Sequence, residues 1–139
     1  MGRKAAREWA MKLIYQLMIQ RQQPEAQIEE ALAENGITGD EAAFIRSHVM
    51  GTCQNTADID VRLAAHAKGW KLERMPKIDL AVLRLAVYEL AYVREVPVSV
   101  IINEAVELAK KYSTADSGAF VNGLLGKISG LIEEGENDA

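Results

Sequence analysis

The chain contains little of several residue types, and each scarcity excludes a class of structure or site. A single cysteine, Cys53, excludes an intramolecular disulfide and a metal centre of clustered cysteines, and a reduced cytoplasmic setting is the simplest interpretation. No run of about eighteen apolar residues is present, so no segment is predicted to span a membrane. Near the N-terminus, Glu8 and Gln16 interrupt anything like the apolar core of a signal peptide.

The residues that are abundant predict a helical protein of one domain, 1–139. Of the 139 residues 49% are apolar and only three are proline, which fits a globular helical chain. Apolar residues recur at helical spacing, and no stretch alternates convincingly as a strand. The first helix, predicted over 5–22, is apolar almost all round, as expected at the centre of a bundle.

Later helices are predicted to begin at Pro24, near Asp40 and Thr56, and at Pro76 and Pro97, and a last one follows the loop 113–118. Together they give an all-α bundle of six to seven helices. The acidic segment 133–139 is predicted to be disordered, because it has almost no apolar residues to bury.

The net charge of −4 conceals two basic segments. Residues 1–22 carry five basic residues against one acidic residue, and residues 61–84 carry six against two. The segment 23–60 between them carries eight acidic residues against one basic residue. Two basic segments in an acidic protein indicate a local site for a polyanion, although charged helix faces are more often only solvated.

The first basic segment begins with Arg3, Lys4 and Arg7. Arg3 and Arg7 share a helix face because they are four residues apart, with Lys4 alongside. A solvated helix start is one interpretation, but cations at a helix N-terminus oppose the helix dipole. Contact with phosphates is the alternative.

The second basic segment contains Lys71 and Arg74, with Arg84 further along the next helix. Such residues would hold single-stranded RNA through its phosphates. For Arg84, a structural ion pair with Glu89 or Glu104 is an equally good interpretation.

Phe120 and Asn122 are the sharpest pair of candidate site residues. Phe120 lies one residue before the apolar stripe of the last helix, and therefore about 100° away from it around the helix axis. Its ring either stacks on a nucleotide base or packs on Tyr112, and Asn122 either reads a base edge or anchors or caps nearby backbone. Tyr15, off the main apolar stripe of the first helix, is similarly undecided.

No group of residues predicts an active site or a metal site. Glu104 and Glu107 project from one side of a helix, but no substrate anchor or second group of tuned pKa accompanies them. His48 and His66 lack the spacing of metal ligands. The sequence therefore predicts no catalysis, no cofactor and no bound metal.

Five blocks of the sequence, in matching order and spacing, resemble the NusB family of bacterial transcription antitermination factors. The blocks are AREWAMKLIYQ at 6–16, GW at 69–70, LAVLRLAVYEL at 80–90, VPVSVIINEAVELAKKY at 96–112 and FVNGLLGKI at 120–128. One stretch departs from the family: GRKAAR at 2–7 has fewer arginines than many members carry before the first helix. We therefore expect RNA binding to rely more on a partner or on the second basic segment.

The resemblance implies a fold of two small helical bundles that share the N-terminal helix. It implies binding of boxA RNA in ribosomal RNA transcripts together with NusE, which is also a small-subunit ribosomal protein, and loading onto RNA polymerase. It favours phosphate contact for the N-terminal cations and places FVNG near the RNA. Glu73 and Asp79 become candidates to meet basic residues of NusE, with simple acidic residues of a first helical turn as the alternative interpretation. Homodimers, known for some members, are left open.

Two other functions compete with this one. A helical protein-interaction domain without direct RNA contact would have the same fold. That fold also precedes the catalytic domain of certain ribosomal RNA cytosine methyltransferases, an interpretation that fails on length because only an acidic segment follows Ile132.

Overall fold

The computed structural model describes residues 2–69 and 71–138, the side chains of 134–138 excepted. Trp70, in one of the family-like blocks, lies outside the described residues. Within them the chain forms seven α-helices and no strand: α1 Arg3–Gln20, α2 Pro24–Glu34, α3 Gly39–Gln54, α4 Thr56–His66, α5 Lys77–Tyr88, α6 Val98–Tyr112 and α7 Ala115–Asp138. A 3₁₀ turn, Leu72–Arg74, precedes α5, and a π-helical turn, Glu89–Val93, continues it.

The helix boundaries have local causes that the sequence contains. Pro24 is the first residue of α2, and Pro97 immediately precedes α6. At the start of α7 the Thr114 hydroxyl accepts a hydrogen bond from the backbone N–H of Ser117 at 3.0 Å, which satisfies one donor of the first turn. The π-helical turn ends at Arg94, whose φ of 60° is left-handed.

Two boundaries differ from the predictions. Asp40, predicted as an N-cap, lies inside the first turn of α3, which begins one residue earlier. The helix α7 continues to Asp138 and so includes most of the acidic segment predicted to be disordered. That segment contains no proline, and glutamate is a good helix former, so nothing in it forces the helix to end at Ile132.

The helices pack as two groups that are joined through α1 and through the contacts of α3 with α4 and α5. In the N-terminal group α1, α2 and α3 contact one another, and in the C-terminal group α4, α5, α6 and α7 pack together. The helix α1 also packs on α5, and its residues Ala6, Ala10 and Met11 are completely buried. The predicted all-α fold is thus confirmed, with α1 shared between the groups. No helix in the described part of the chain is long and apolar enough to cross a bilayer.

Candidate nucleic-acid interface

Arg7 lies inside the protein rather than on its surface. It is 6% exposed, and its Nε and Nη2 donate to the two carboxylate oxygens of Glu89 at 2.8 and 3.0 Å. Glu89 is 1% exposed. Because both carboxylate oxygens are taken in a buried pair, this geometry contradicts the prediction that Arg7 contacts phosphates. The spacing explains the burial: Arg7, Ala10, Met11 and Ile14 follow the i, i+3, i+4, i+7 pattern of one helix face, and all are buried.

The other two N-terminal cations, Arg3 and Lys4, are exposed. The guanidinium of Arg3 lies 4.7 Å from the ring centroid of Phe44 on α3. The Nζ of Lys4 lies 2.6 Å from Oε2 of Glu107 on α6, and both side chains are mostly exposed. The hydrogen bond with Glu107 raises the pKa of Lys4, so the ammonium stays charged. An exposed pair of this kind is weak enough for an incoming phosphate to compete with it.

Arg84 forms the structural ion pair that was one of its two interpretations, but with a different partner. Its Nε and Nη2 donate to Oδ1 and Oδ2 of Asp60 at 2.9 and 2.8 Å. The pair joins α5 to α4 and is only partly exposed. The geometry therefore argues against Arg84 as a direct RNA contact.

The second basic segment presents its charges around the 3₁₀ turn. Lys71, Glu73 and Arg74 are all exposed there. The next residue, Met75, is buried and lines a cavity beside Phe120, so these charges lie close in sequence to that cavity.

Phe120 is half-buried in the wall of a cavity of about 240 Å³ between the start of α5 and the start of α7. The other residues that line this cavity are Met75, Pro76, Asp79, Thr114, Asp116 and Ser117. A residue predicted to contact RNA and one predicted to contact a protein partner thus share a single cavity.

Asp79 is 3% exposed, which contradicts its prediction as a surface contact for a basic partner. Its Oδ2 accepts a hydrogen bond from the Ser117 hydroxyl at 2.8 Å, and its Oδ1 has no hydrogen-bond partner among the described groups. The position follows from helical spacing, because Asp79, Val82 and Ala86 share the buried face of α5. Asp79 therefore connects α5 to α7.

Two further candidate residues lie apart from this cavity face. Asn122 is exposed, but it follows Phe120 by two residues, which places the two side chains about 200° apart around α7. Tyr15 is half-buried and packs against the hydrophobic core. The structure therefore does not bring Phe120 and Asn122 onto one face.

A cluster of cations and rings between α1 and α6 was missed by the sequence reasoning. We call it the Tyr112 cluster, and its members are Glu8, Trp9, Lys12, Lys111 and Tyr112. The Glu8 carboxylate lies 2.8 Å from Nζ of Lys111 and 3.8 Å from Nζ of Lys12, and it accepts a hydrogen bond from the Tyr112 hydroxyl. These hydrogen bonds from Lys111 and Tyr112 lower the pKa of Glu8. Only the Glu8–Lys12 spacing of four residues was visible in the sequence.

One titratable group lies next to the buried Arg7–Glu89 pair. The ring of His48 stacks on Phe44 at a centroid distance of 3.7 Å, and its Nε2 is 3.9 Å from Oε2 of Glu89. Burial lowers the pKa of His48 despite the nearby carboxylate. Among the described residues no three potential ligands come together as a metal site.

Comparison with known proteins places these features in a family context. The sequence model of the NusB family matches residues 4–130. A transcription antitermination protein NusB from Ruminiclostridium cellulolyticum is 50% identical over 129 residues, which are 93% of this chain and 89% of that protein. The protein of the same name from Acetivibrio thermocellus is 49% identical over 128 residues, which are 92% of this chain and 88% of that protein.

Solved structures with NusB in their names have the same fold as this chain. NusB from T. maritima superposes with a TM-score of 0.87 at 35% identity, covering 93% of this chain and 91% of that one. A chain in a structure of the antitermination factors NusB and NusE with double-stranded RNA superposes with a TM-score of 0.85 at 26% identity. The match covers 93% of this chain and 96% of that chain.

Proposed function

This chain belongs to the NusB family of transcription antitermination proteins, and we propose that it binds boxA-type RNA of ribosomal RNA transcripts together with NusE. As a member of that family it is a regulatory factor and not an enzyme. The observation that carries the proposal is the agreement of the whole fold, at a TM-score of 0.85, with a chain from a structure of NusB and NusE with RNA.

The proposed RNA surface uses the candidate residues that are accessible. Arg3 and Lys4 at the start of α1 and Lys71 and Arg74 beside the 3₁₀ turn supply exposed cations for phosphates. Phe120, half-buried at its cavity, supplies an aromatic face for an unstacked base. The exposed Asn122 supplies a polar contact on another side of α7. Tyr15 is half-buried, like Phe120, and completes the proposed set.

The proposed partner contacts are fewer. Glu73 is exposed on the 3₁₀ turn, which supports a contact with basic residues of the ribosomal protein NusE. Asp79 contributes only indirectly, because it fixes the start of α7 through Ser117. We further propose that the RNA-bound assembly loads onto RNA polymerase in the cytoplasm, and that any homodimer covers part of the same surface.

A titration separates this proposal from a protein-interaction domain without RNA contact. Labelled boxA-like single strands, scrambled single strands and a duplex are titrated with the protein, with and without NusE, at two salt concentrations. We expect the boxA-like strand to bind most tightly when NusE is present, and binding to weaken as salt rises. Equal affinities for boxA-like and scrambled strands in the presence of NusE would favour the interaction domain.

A further inference from the structure

The Tyr112 cluster has the composition of a binding site for single-stranded nucleic acid. We propose that it contacts the RNA, with Lys12 and Lys111 binding a phosphate and the rings of Trp9 and Tyr112 supporting a base. We further propose that Glu8 competes with that phosphate for the two lysines. This inference rests on the proposed function and adds a surface between α1 and α6 to the residues assigned above.

The charges of the cluster are not balanced. Two ammonium groups, on Lys12 and Lys111, share the single carboxylate of Glu8, so one positive charge has no counterpart within the cluster. Arg7 and Arg84 differ, because each donates to both oxygens of one carboxylate. The lysine side chains are 45% and 61% exposed, so a phosphate can reach them from solvent.

The rings hold these lysines over aromatic faces. The Nζ of Lys12 lies 5.3 Å from the ring centroid of Trp9 and 5.4 Å from that of Tyr112, and the Nζ of Lys111 lies 5.3 Å from Tyr112. These distances are within the range of cation–π attraction. Both rings are half-buried, so each is anchored on the core and still accessible. Sites for single-stranded RNA combine the same two elements, cations for the backbone and aromatic faces for bases.

Glu8 occupies the position that a phosphate would take. It receives hydrogen bonds from Lys111 and from the Tyr112 hydroxyl, and an anionic phosphate oxygen accepts from the same donors. A glutamate carboxylate is ionised at neutral pH, so the Glu8 side chain and the phosphate compete for the same donors. Removal of this negative charge is therefore expected to strengthen RNA binding.

The first experiment changes the charge of the cluster. The RNA affinity of Glu8→Gln is compared with that of Glu29→Gln, a control that also removes one carboxylate paired with a cation, here Arg46. The Glu29 side chain is 55% exposed and the Glu8 side chain 21%. In fluorescence anisotropy with a boxA-like single strand, we expect Glu8→Gln to bind roughly two- to fivefold more tightly at low salt and Glu29→Gln to bind like the wild type. Equal effects of the two substitutions would contradict the proposed competition.

The second experiment removes the proposed contacts. The double variant Lys12→Ala, Lys111→Ala is expected to bind more weakly and to lower the slope of log affinity against log salt by up to about 0.7, the value for one single-strand phosphate contact. Tyr112→Leu is expected to bind at least about fivefold more weakly, whereas Tyr112→Phe, which keeps the ring, retains stacking. Circular dichroism checks that each variant is folded.

The outcomes separate this inference from the function on which it rests. If the wild-type protein bound no RNA with or without NusE, the proposed function would fail and the cluster proposal with it. If the wild type bound RNA and the lysine double variant matched it in affinity and salt slope, only the Tyr112 cluster proposal would be overturned.

Discussion

At the scale of single residues, Gly51 on α3 is the described glycine at which an added Cβ atom would meet its neighbours at the shortest distance. A Cβ atom placed there would lie 2.2 Å from Cζ and Oη of Tyr88. The Tyr88 ring is held between His48 and Tyr92, at centroid distances of 5.6 and 5.7 Å. Because neighbours on both sides restrict the ring, α3 can pack this closely on α5 only if residue 51 is glycine.

We therefore expect Gly51→Ala to lower the free energy of unfolding by about 1–3 kcal/mol, the usual cost of overpacking a core. Gly126→Ala is the matched control, since Gly126 is an exposed residue of α7 and a Cβ atom added there would meet no other atom within 4 Å. In a helix this control should gain up to about 1 kcal/mol. Urea unfolding measures both, and a Gly51→Ala protein as stable as the wild type would refute the packing argument.

His48 is expected to make stability depend on pH near neutrality. Burial lowers its pKa in the folded state from the ordinary value of 6.5, so the folded protein binds the proton less readily than the unfolded chain. The uncharged His48 ring therefore makes its full contribution to the stability of the folded protein above pH 6.5. This contribution is lost as the pH falls from there towards the folded-state pKa of His48.

The measurement is the melting temperature across this window. We expect the wild type to lose stability between neutral pH and mildly acid pH, and His48→Phe, which preserves a flat ring against Phe44, to lose less. Carboxylates with a lowered pKa, such as Glu8 and Glu29, change the stability of the protein only at lower pH, because their ordinary pKa is 4.5. An identical pH profile for the two proteins would show that His48 is not responsible.

At the scale of elements, the Arg7–Glu89 pair joins α1 to the π-helical turn. One partner comes from the helix shared by the two groups and the other from the continuation of α5, and both are buried. A buried charge without its partner is far more costly than the pair itself is favourable. We therefore expect Arg7 to affect RNA binding only through the stability of α1.

Arg7→Ala is expected to destabilise the protein by about 3–5 kcal/mol, because it leaves Glu89 buried and unpaired. Replacement of both partners, Arg7→Met with Glu89→Leu, should recover most of that loss. Arg3→Ala is the control on the same helix, and we expect at most about 1 kcal/mol from its exposed contact with Phe44. If chemical denaturation showed the same small loss of unfolding free energy for Arg7→Ala as for Arg3→Ala, the Arg7–Glu89 pair would not be needed to join α1 to the π-helical turn.

Local sequence signals predicted where helices begin better than they predicted which charged side chains pair with one another. The prolines at positions 24 and 97 gave helix starts that the structure confirms. The partner of Arg84 could not be predicted, since Asp60 is 24 residues away and only the packing of α4 on α5 brings them together. Arg7 and Asp79 could have been predicted as buried, because both have the spacing of a buried face, but their charge favoured the surface interpretation.

At the scale of the whole molecule, the fold decides which candidate residues are accessible to RNA. Arg3, Lys4, Lys71 and Arg74 are exposed, whereas Arg7 and Arg84 are engaged in structural pairs. The Tyr112 cluster depends on the contact between α1 and α6, about a hundred residues apart in the chain, so no local pattern could reveal it. The proposed interface is therefore a property of the tertiary structure.

The salt dependence of RNA binding tests the central claim that exposed cations, and not Arg7 and Arg84 in their structural ion pairs, hold a boxA-type strand. In the presence of NusE, the wild type is compared with two variants. One is the double variant Lys71→Ala with Arg74→Ala, and the other is the single variant Arg46→Ala. Arg46 is an exposed cation of α3 that pairs with Glu29. The account predicts that the Lys71 and Arg74 double variant lowers the slope of log affinity against log salt by up to about 1.4. It predicts no change for Arg46→Ala, and equal slopes for all three proteins would contradict it.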